Sequence, residues 1–114
     1  MTSELGEAGF WILAALANGR MHGYGILAEV ERSSEKRVTL RATSLYSALE
    51  RLERIGWVST DGQEIVDGRA RRYYRLSSEG EGQLASELER LEAKADVARA
   101  RLAGLRSATT FAVA

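Results

Sequence analysis

The order of signals between Thr43 and Leu76 leaves few folds open to this chain. A run of helix formers (Thr43-Ser44-Leu45-Tyr46-Ser47-Ala48-Leu49-Glu50-Arg51-Leu52-Glu53-Arg54-Ile55) stops at Gly56, and two strand-like runs follow. At about 100° per residue, Leu45, Ala48, Leu49, Leu52 and Ile55 fall on one side and are expected to face a core. The opposite side gathers Thr43, Tyr46, Ser47, Glu50 and Arg54, with Ser44 and Arg51 on its flank. Trp57-Val58-Ser59-Thr60 reads as a short strand, Asp61-Gly62 as a turn, and Arg72-Tyr73-Tyr74-Arg75-Leu76 as the returning strand. Asp67-Gly68 supplies a further turn, so the arm is either long or irregular at its tip.

Charge sharpens that reading. The 114 residues carry 16 basic and 16 acidic side chains, for a net charge of zero, yet Arg69, Arg71, Arg72 and Arg75 stand within Gly68–Leu76 with no acid among them. Screening confines a charge's influence to roughly 10 Å, so a focused basic arm can hold DNA on a neutral protein. A helix followed by a cationic hairpin is the arrangement of a winged helix-turn-helix. The helix enters the major groove and the arm reaches the neighbouring backbone. Alone, the polar helix face would be an ordinary solvated surface with pairs such as Glu50–Arg54. Beside the arginine arm it reads as a nucleic-acid face. Of Tyr73 and Tyr74, which point to opposite sides of the strand, one is expected in the core and the other free to offer its hydroxyl to a phosphate.

The remaining segments complete a mainly α fold with a small β-hairpin. Leu5 to Ala17 is a nearly apolar helix bearing Phe10, Trp11, Ile12, Leu13 and Leu16, stopped at Asn18-Gly19. So much apolar surface calls for burial on more than one side, in the core and against another subunit. A second helix spans Gly23 to Arg32, with Tyr24, Leu27 and Val30 on one face, and Ser33–Arg37 is loop-like. The last helix starts at Ser77 or Ser78, where Ser78-x-x-Glu81 can form a capping box. Along it Leu84, Leu88, Leu91, Ala95, Ala98, Leu102 and Leu105 keep alternating spacings of four and three, a heptad seam suited to dimerisation. Three regions result: a winged domain over 1–76, a dimerisation helix over 77–106, and a tail over 107–114 expected to be disordered.

Other functions lack their residues. The chain has no cysteine and one histidine, His22. That leaves no disulfide, no thiolate metal site, no cysteine nucleophile and little scope for a histidine triad, so neither an enzyme nor a metal or other cofactor is expected. No run of about 18 apolar residues suggests a membrane span, and the first residues do not resemble a signal peptide, so a cytoplasmic protein is expected.

Three stretches in this order resemble the PadR family of bacterial transcriptional regulators: Met21-His22-Gly23-Tyr24-Gly25-Ile26, then Ser44–Glu53 with Gly56, then Gly68-Arg69-Ala70-Arg71-Arg72-Tyr73-Tyr74-Arg75-Leu76-Ser77 with Gly80. The length is similar to that of the short subfamily, in which a single carboxy-terminal helix forms the dimer. The resemblance implies a homodimeric repressor on a pseudo-palindromic operator, often released by a small-molecule effector. It places Ser44, Tyr46 and Ser47 at the start of the recognition helix and Arg69, Arg71 and Arg72 on the wing. His22-Gly23-Tyr24 opens the second helix, with His22 in hydrogen bonds there and Tyr24 either at a phosphate or in the core. The DNA-contacting set expected is therefore Tyr24, Arg41, Thr43, Ser44, Tyr46, Ser47, Arg51, Arg54, Arg69, Arg71 and Arg72. The chain departs from the family in two places. Arg41-Ala42-Thr43 replaces the usual capping residues before the recognition helix, at a cost of about 1 kcal/mol. Between Ser77 and Arg106 there is no aromatic residue on which a flat ligand could stack, leaving Trp11 as the candidate for an effector pocket. The alternative to a regulator is a dimeric interaction module whose winged domain no longer binds DNA.

Overall fold

The structure is a computed structural model that describes residues 5–113, with side chains through residue 108. Its elements run α1 (Gly6–Leu16), β1 (Met21–His22), α2 (Gly23–Ser33), α3 (Ala42–Arg54), β2 (Val58–Val66), β3 (Arg69–Leu76) and α4 (Ser78–Val113). The strands form one antiparallel sheet in the order β1-β3-β2, so β3 is central. The result is a mainly α winged helix-turn-helix with a small sheet and a long carboxy-terminal helix. The chain divides after Leu84 into two units, a boundary that falls inside α4.

Each of the first three helices gives the core one stripe. Ile12, Leu13 and Leu16 of α1, Ile26 and Val30 of α2, and Leu45, Leu49 and Leu52 of α3 are buried together with Val58 and Tyr74 of the sheet. Fully burying a side chain of this kind contributes about 1.5–3 kcal/mol, so α3 is fixed chiefly by its three leucines. Two readings of helix faces are corrected. Ile55 is 40% exposed rather than core, because α3 ends at Arg54 and Ile55 is its C-cap. On α2 the buried stripe is Gly23, Ile26 and Val30, which turns Tyr24 outward at 69% exposure.

The ends of α3 and α4 interlock. Gly56, at a φ of 89°, closes α3, with its own N–H on the Glu53 carbonyl and the Trp57 N–H on the Leu52 carbonyl. This pairing requires a left-handed residue that glycine supplies without strain. The α4 cap is Ser77 rather than Ser78. The Ser77 hydroxyl accepts from the Gly80 N–H at 3.0 Å and donates to the Gly56 carbonyl at 2.6 Å, leaving Ser78-x-x-Glu81 inside the helix rather than at its edge.

The hairpin is longer than its composition suggests. Asp61-Gly62 is not a turn but a bulge within β2, marked by a register shift between Thr60 and Gln63. The chain reverses at Asp67-Gly68, both at positive φ (51° and 77°), as a tight two-residue hairpin turn requires. Strand β1 has no composition signal at two residues. It forms because Met21 and His22 lie opposite Tyr74 and Tyr73. Helix α4 continues to Val113, past Arg106 where an irregular tail was expected, since Ser107–Val113 contains no glycine or proline to stop it. Ala114 lies outside the described residues.

Candidate nucleic-acid interface

Three elements converge on one open cleft. Its walls are His22, Gly23 and Tyr24 at the start of α2, Tyr46 on the first turns of α3, and Gln63, Val66, Asp67, Arg69, Ala70, Arg71, Arg72 and Tyr74 from the hairpin, enclosing about 770 Å³. Three arginines against one aspartate among its lining residues make it electropositive.

The α3 side is built by the separation of helix faces. With Leu45, Leu49 and Leu52 turned inward, Thr43, Ser44, Tyr46, Ser47, Glu50 and Arg54 are left exposed. Arg41 is the N-cap residue, extended at φ −82° and ψ 153°, with no side chain accepting from the first turn. An uncapped helix start presents N–H groups and the positive end of the helix dipole, both suited to an anion. Tyr46 leans across to α2, where a Cβ on Gly23 would collide with its hydroxyl and lie 2.8 Å from its Cζ. Glycine at 23 thus lets α3 sit close to the start of α2. Arg51 departs from the group: it is half-buried, and its Nη2 lies 3.7 Å from where a Cβ on Gly9 of α1 would be.

The hairpin register divides the arginines. Arg72 shares one face with Ala70 and Tyr74, while Arg69 and Arg71 share the other with Tyr73. Arg72 also borders a smaller recess with Glu53 of α3, Thr60 and Gln63. Tyr74 is the core tyrosine, its phenol pushed up mainly by burial and pulled back by Arg72. The Tyr73 hydroxyl, which composition left free for a phosphate, instead donates to Glu64 Oε2 at 2.7 Å. That bond, with burial second, raises the Tyr73 phenol.

His22 starts α2 as its N-cap, Nδ1 accepting from the Gly25 N–H at 3.1 Å. Burial and, less strongly, Arg71 lower its pKa against the opposing effect of Glu64. Trp11 is half-buried away from the cleft, its Nε1–H donating to Glu7 at 3.0 Å and its ring edge-on to Phe10 at 5.4 Å. Along α4 the seam residues Leu88, Leu91, Leu102 and Leu105 are exposed, as are Ala95 and Ala98, while Leu84 packs against the core. Among the described residues no cluster of three histidine or acidic side chains is fit to hold a metal ion, and no helix is long and apolar enough to cross a membrane. Two residues of the cleft had gone unread. Gln63 lay in a stretch taken for a loop, and Gly23 carried only its place in the His22-Gly23-Tyr24 motif.

Known proteins resemble this chain in sequence and fold. A transcriptional regulator of Mycobacterium tuberculosis is 34% identical over 93 residues, covering 82% of this chain and 80% of that one. A PadR family transcription regulator from Clostridium difficile R20291 superposes with a TM-score of 0.68 at 27% identity, over 81% of this chain and 94% of that one. Bacillus subtilis PadR, solved in complex with operator DNA, has the same fold at a TM-score of 0.62 and 21% identity, over 69% of this chain and 45% of that one. Residues 12–86, which run from the middle of α1 into α4 and include every residue of the cleft, match the Transcriptional regulator PadR-like family. The chain belongs to that family, and its function is that of a DNA-binding transcriptional regulator, not of an enzyme.

Proposed function

We propose that the protein is a homodimeric repressor that acts in the cytoplasm on a pseudo-palindromic operator. The observation that carries this reading is the exposed, uncapped start of α3 beside a cleft lined by three arginines. Thr43, Ser44, Ser47 and Arg54 read base edges. Tyr24, Arg41, Tyr46, Arg69, Arg71 and Arg72 hold phosphates or enter the adjoining minor groove. Arg51 contributes through the phosphate backbone at the edge of the site, given its place against α1.

Two copies pair through the α4 seam of Leu84, Leu88, Leu91, Ala95, Ala98, Leu102 and Leu105. Support comes from the heptad spacing and from the exposure of Leu88 (52%) and Leu102 (53%) on a helix that water alone would not keep folded. Pairing sets two α3 helices for two half-sites. Release by a small effector would act near Trp11, which is half-buried on α1.

The deciding experiment is binding of the purified protein to a labelled fragment of its own upstream DNA, with competitor, at about 50 and 200 mM salt. Specific binding by a dimer, weakening steeply as salt displaces it from phosphates, is the expected result. A folded dimer that binds neither this fragment nor genomic fragments at either salt would overturn the repressor reading. The zero net charge would then favour an interaction module.

A further inference from the structure

The hairpin is joined to the rest of its unit where its own ladder is interrupted. At the β2 bulge Asp61 and Gly62 have no partners on β3, and Gly62 takes a φ of 84°. A bulge bends the strand and re-aims whatever lies beyond it, here residues 63–72 with the cleft arginines. Left unsupported, that outer segment would pivot.

Arg20, in the loop between α1 and β1, spans the break. Its Nη1 donates to the Asp61 carbonyl at 2.9 Å, and its guanidinium lies 4.2 Å from the centroid of the Tyr73 ring. The same nitrogen sits 3.6 Å from where a Cβ on Gly62 would be, so the guanidinium lies against both residues of the bulge. Tyr73 carries the link outward: its hydroxyl donates to Glu64, beyond the bulge, and its ring packs edge-on to His22 of β1 at 5.5 Å. One side of the bulge is therefore tied to Arg20, the other to Tyr73, and the two ties meet in a stacked pair. Planar arginine suits this double role, since it donates in its plane while stacking on its face.

We propose that Arg20 is a wing-positioning residue: it holds the outer hairpin at the angle from which Arg69, Arg71 and Arg72 meet DNA, without itself touching DNA. The proposal rests on the DNA-binding reading of the hairpin, but its first test does not need DNA. In Arg20→Ala, amide hydrogen exchange over residues 63–72 should rise about tenfold, the effect expected from losing a charge-assisted hydrogen bond and a surface cation–π contact together. Exchange in α1, α2 and α3 should stay as in the parent. Tyr73→Phe, which keeps the ring under Arg20 and cuts only the link to Glu64, should loosen the same amides, and serves if the Arg20 variant folds poorly. Unchanged exchange in both variants overturns the proposal.

The second test uses operator affinity. Arg20→Ala should weaken binding about tenfold in the parent and add no further loss once Arg69, Arg71 and Arg72 are all alanine, because the hairpin then has no contact left to position. Full additivity would make Arg20 a phosphate contact in its own right and overturn the positioning role. A parent protein that binds no DNA would sink the DNA-binding reading of the hairpin while the exchange result still decided the brace.

Discussion

Two glycines two residues apart on α4 show how much a single position depends on its neighbours. A Cβ on Gly80 would collide with the Trp57 carbonyl and press on Leu76 Cδ1 at 2.9 Å, whereas a Cβ on Gly82 meets nothing within 4 Å. Gly80→Ala should therefore destabilise the protein by about 1–3 kcal/mol, since neither backbone can give way. Gly82→Ala should stabilise it by about 0.5–1 kcal/mol through helix propensity. Urea unfolding of the two variants checks both; expectations of opposite sign leave no room for a shared cause. His22 gives a pH-dependent counterpart. Its folded pKa is depressed, chiefly by burial and then by Arg71, against Glu64. The unfolded chain therefore takes up a proton first. Stability is complete above the ordinary histidine value of about 6.5 and declines as pH falls below it. Protonation also removes the Nδ1 lone pair that caps α2. Denaturation midpoints at pH 7.5 and 5.5 should differ in the parent and converge in His22→Asn, which keeps a capping oxygen; an undiminished difference would place the titration elsewhere.

At the scale of elements, helix ends explain most of what the sequence made legible and what it hid. Both α2 and α3 end in the same pairing. In α3 the left-handed position is Gly56, a signal readable at sight. In α2 it is Glu35, at a φ of 54°, followed by Lys36 at 65°, with the Lys36 N–H on the Glu31 carbonyl. Ser33–Arg37 could only be read as polar loop because a charged residue occupies the place glycine would mark. Glu35→Gly should remove that strain and raise stability by about 0.5–1 kcal/mol, measured by thermal unfolding; a loss would mean the turn relies on the glutamate itself. The start of α3 poses the opposite question. Arg41→Ser should add a side-chain cap and stabilise the helix by about 0.5–1 kcal/mol, yet weaken DNA binding. Unchanged affinity would remove Arg41 from the proposed contacts. Periodicity found the buried leucines of α3 because three turns repeat the pattern. It missed β1, which two residues make only through pairing with β3, and it read Asp61-Gly62 as a turn because bulges and turns use the same residues.

For the whole molecule, the open question is what completes α4. From Ala85 to Ala108 every described residue except Glu87 is exposed. Short-range pairs such as Glu87–Arg90 and Asp96–Arg99 each contribute only about 0.2–0.5 kcal/mol to an isolated helix. Pairing of the seam would supply the rest. Leu88→Glu combined with Leu102→Glu should then yield a monomer by analytical ultracentrifugation and lose helical circular dichroism at the same time. The melting temperature of the parent should rise with protein concentration. A monomeric parent whose helicity survives both substitutions would count against the seam.

The division of α3 into a buried leucine stripe and an exposed polar face has a consequence for how such proteins diverge. The residues that hold the helix and those proposed to read DNA share a backbone but no side-chain contacts in the core. Exposed substitutions of this kind usually change stability by less than about 0.5 kcal/mol. Thr43, Ser47 and Arg54 can therefore drift toward a new target sequence while the domain folds as before, so that a duplicated copy could acquire a separate regulon without first gaining stability.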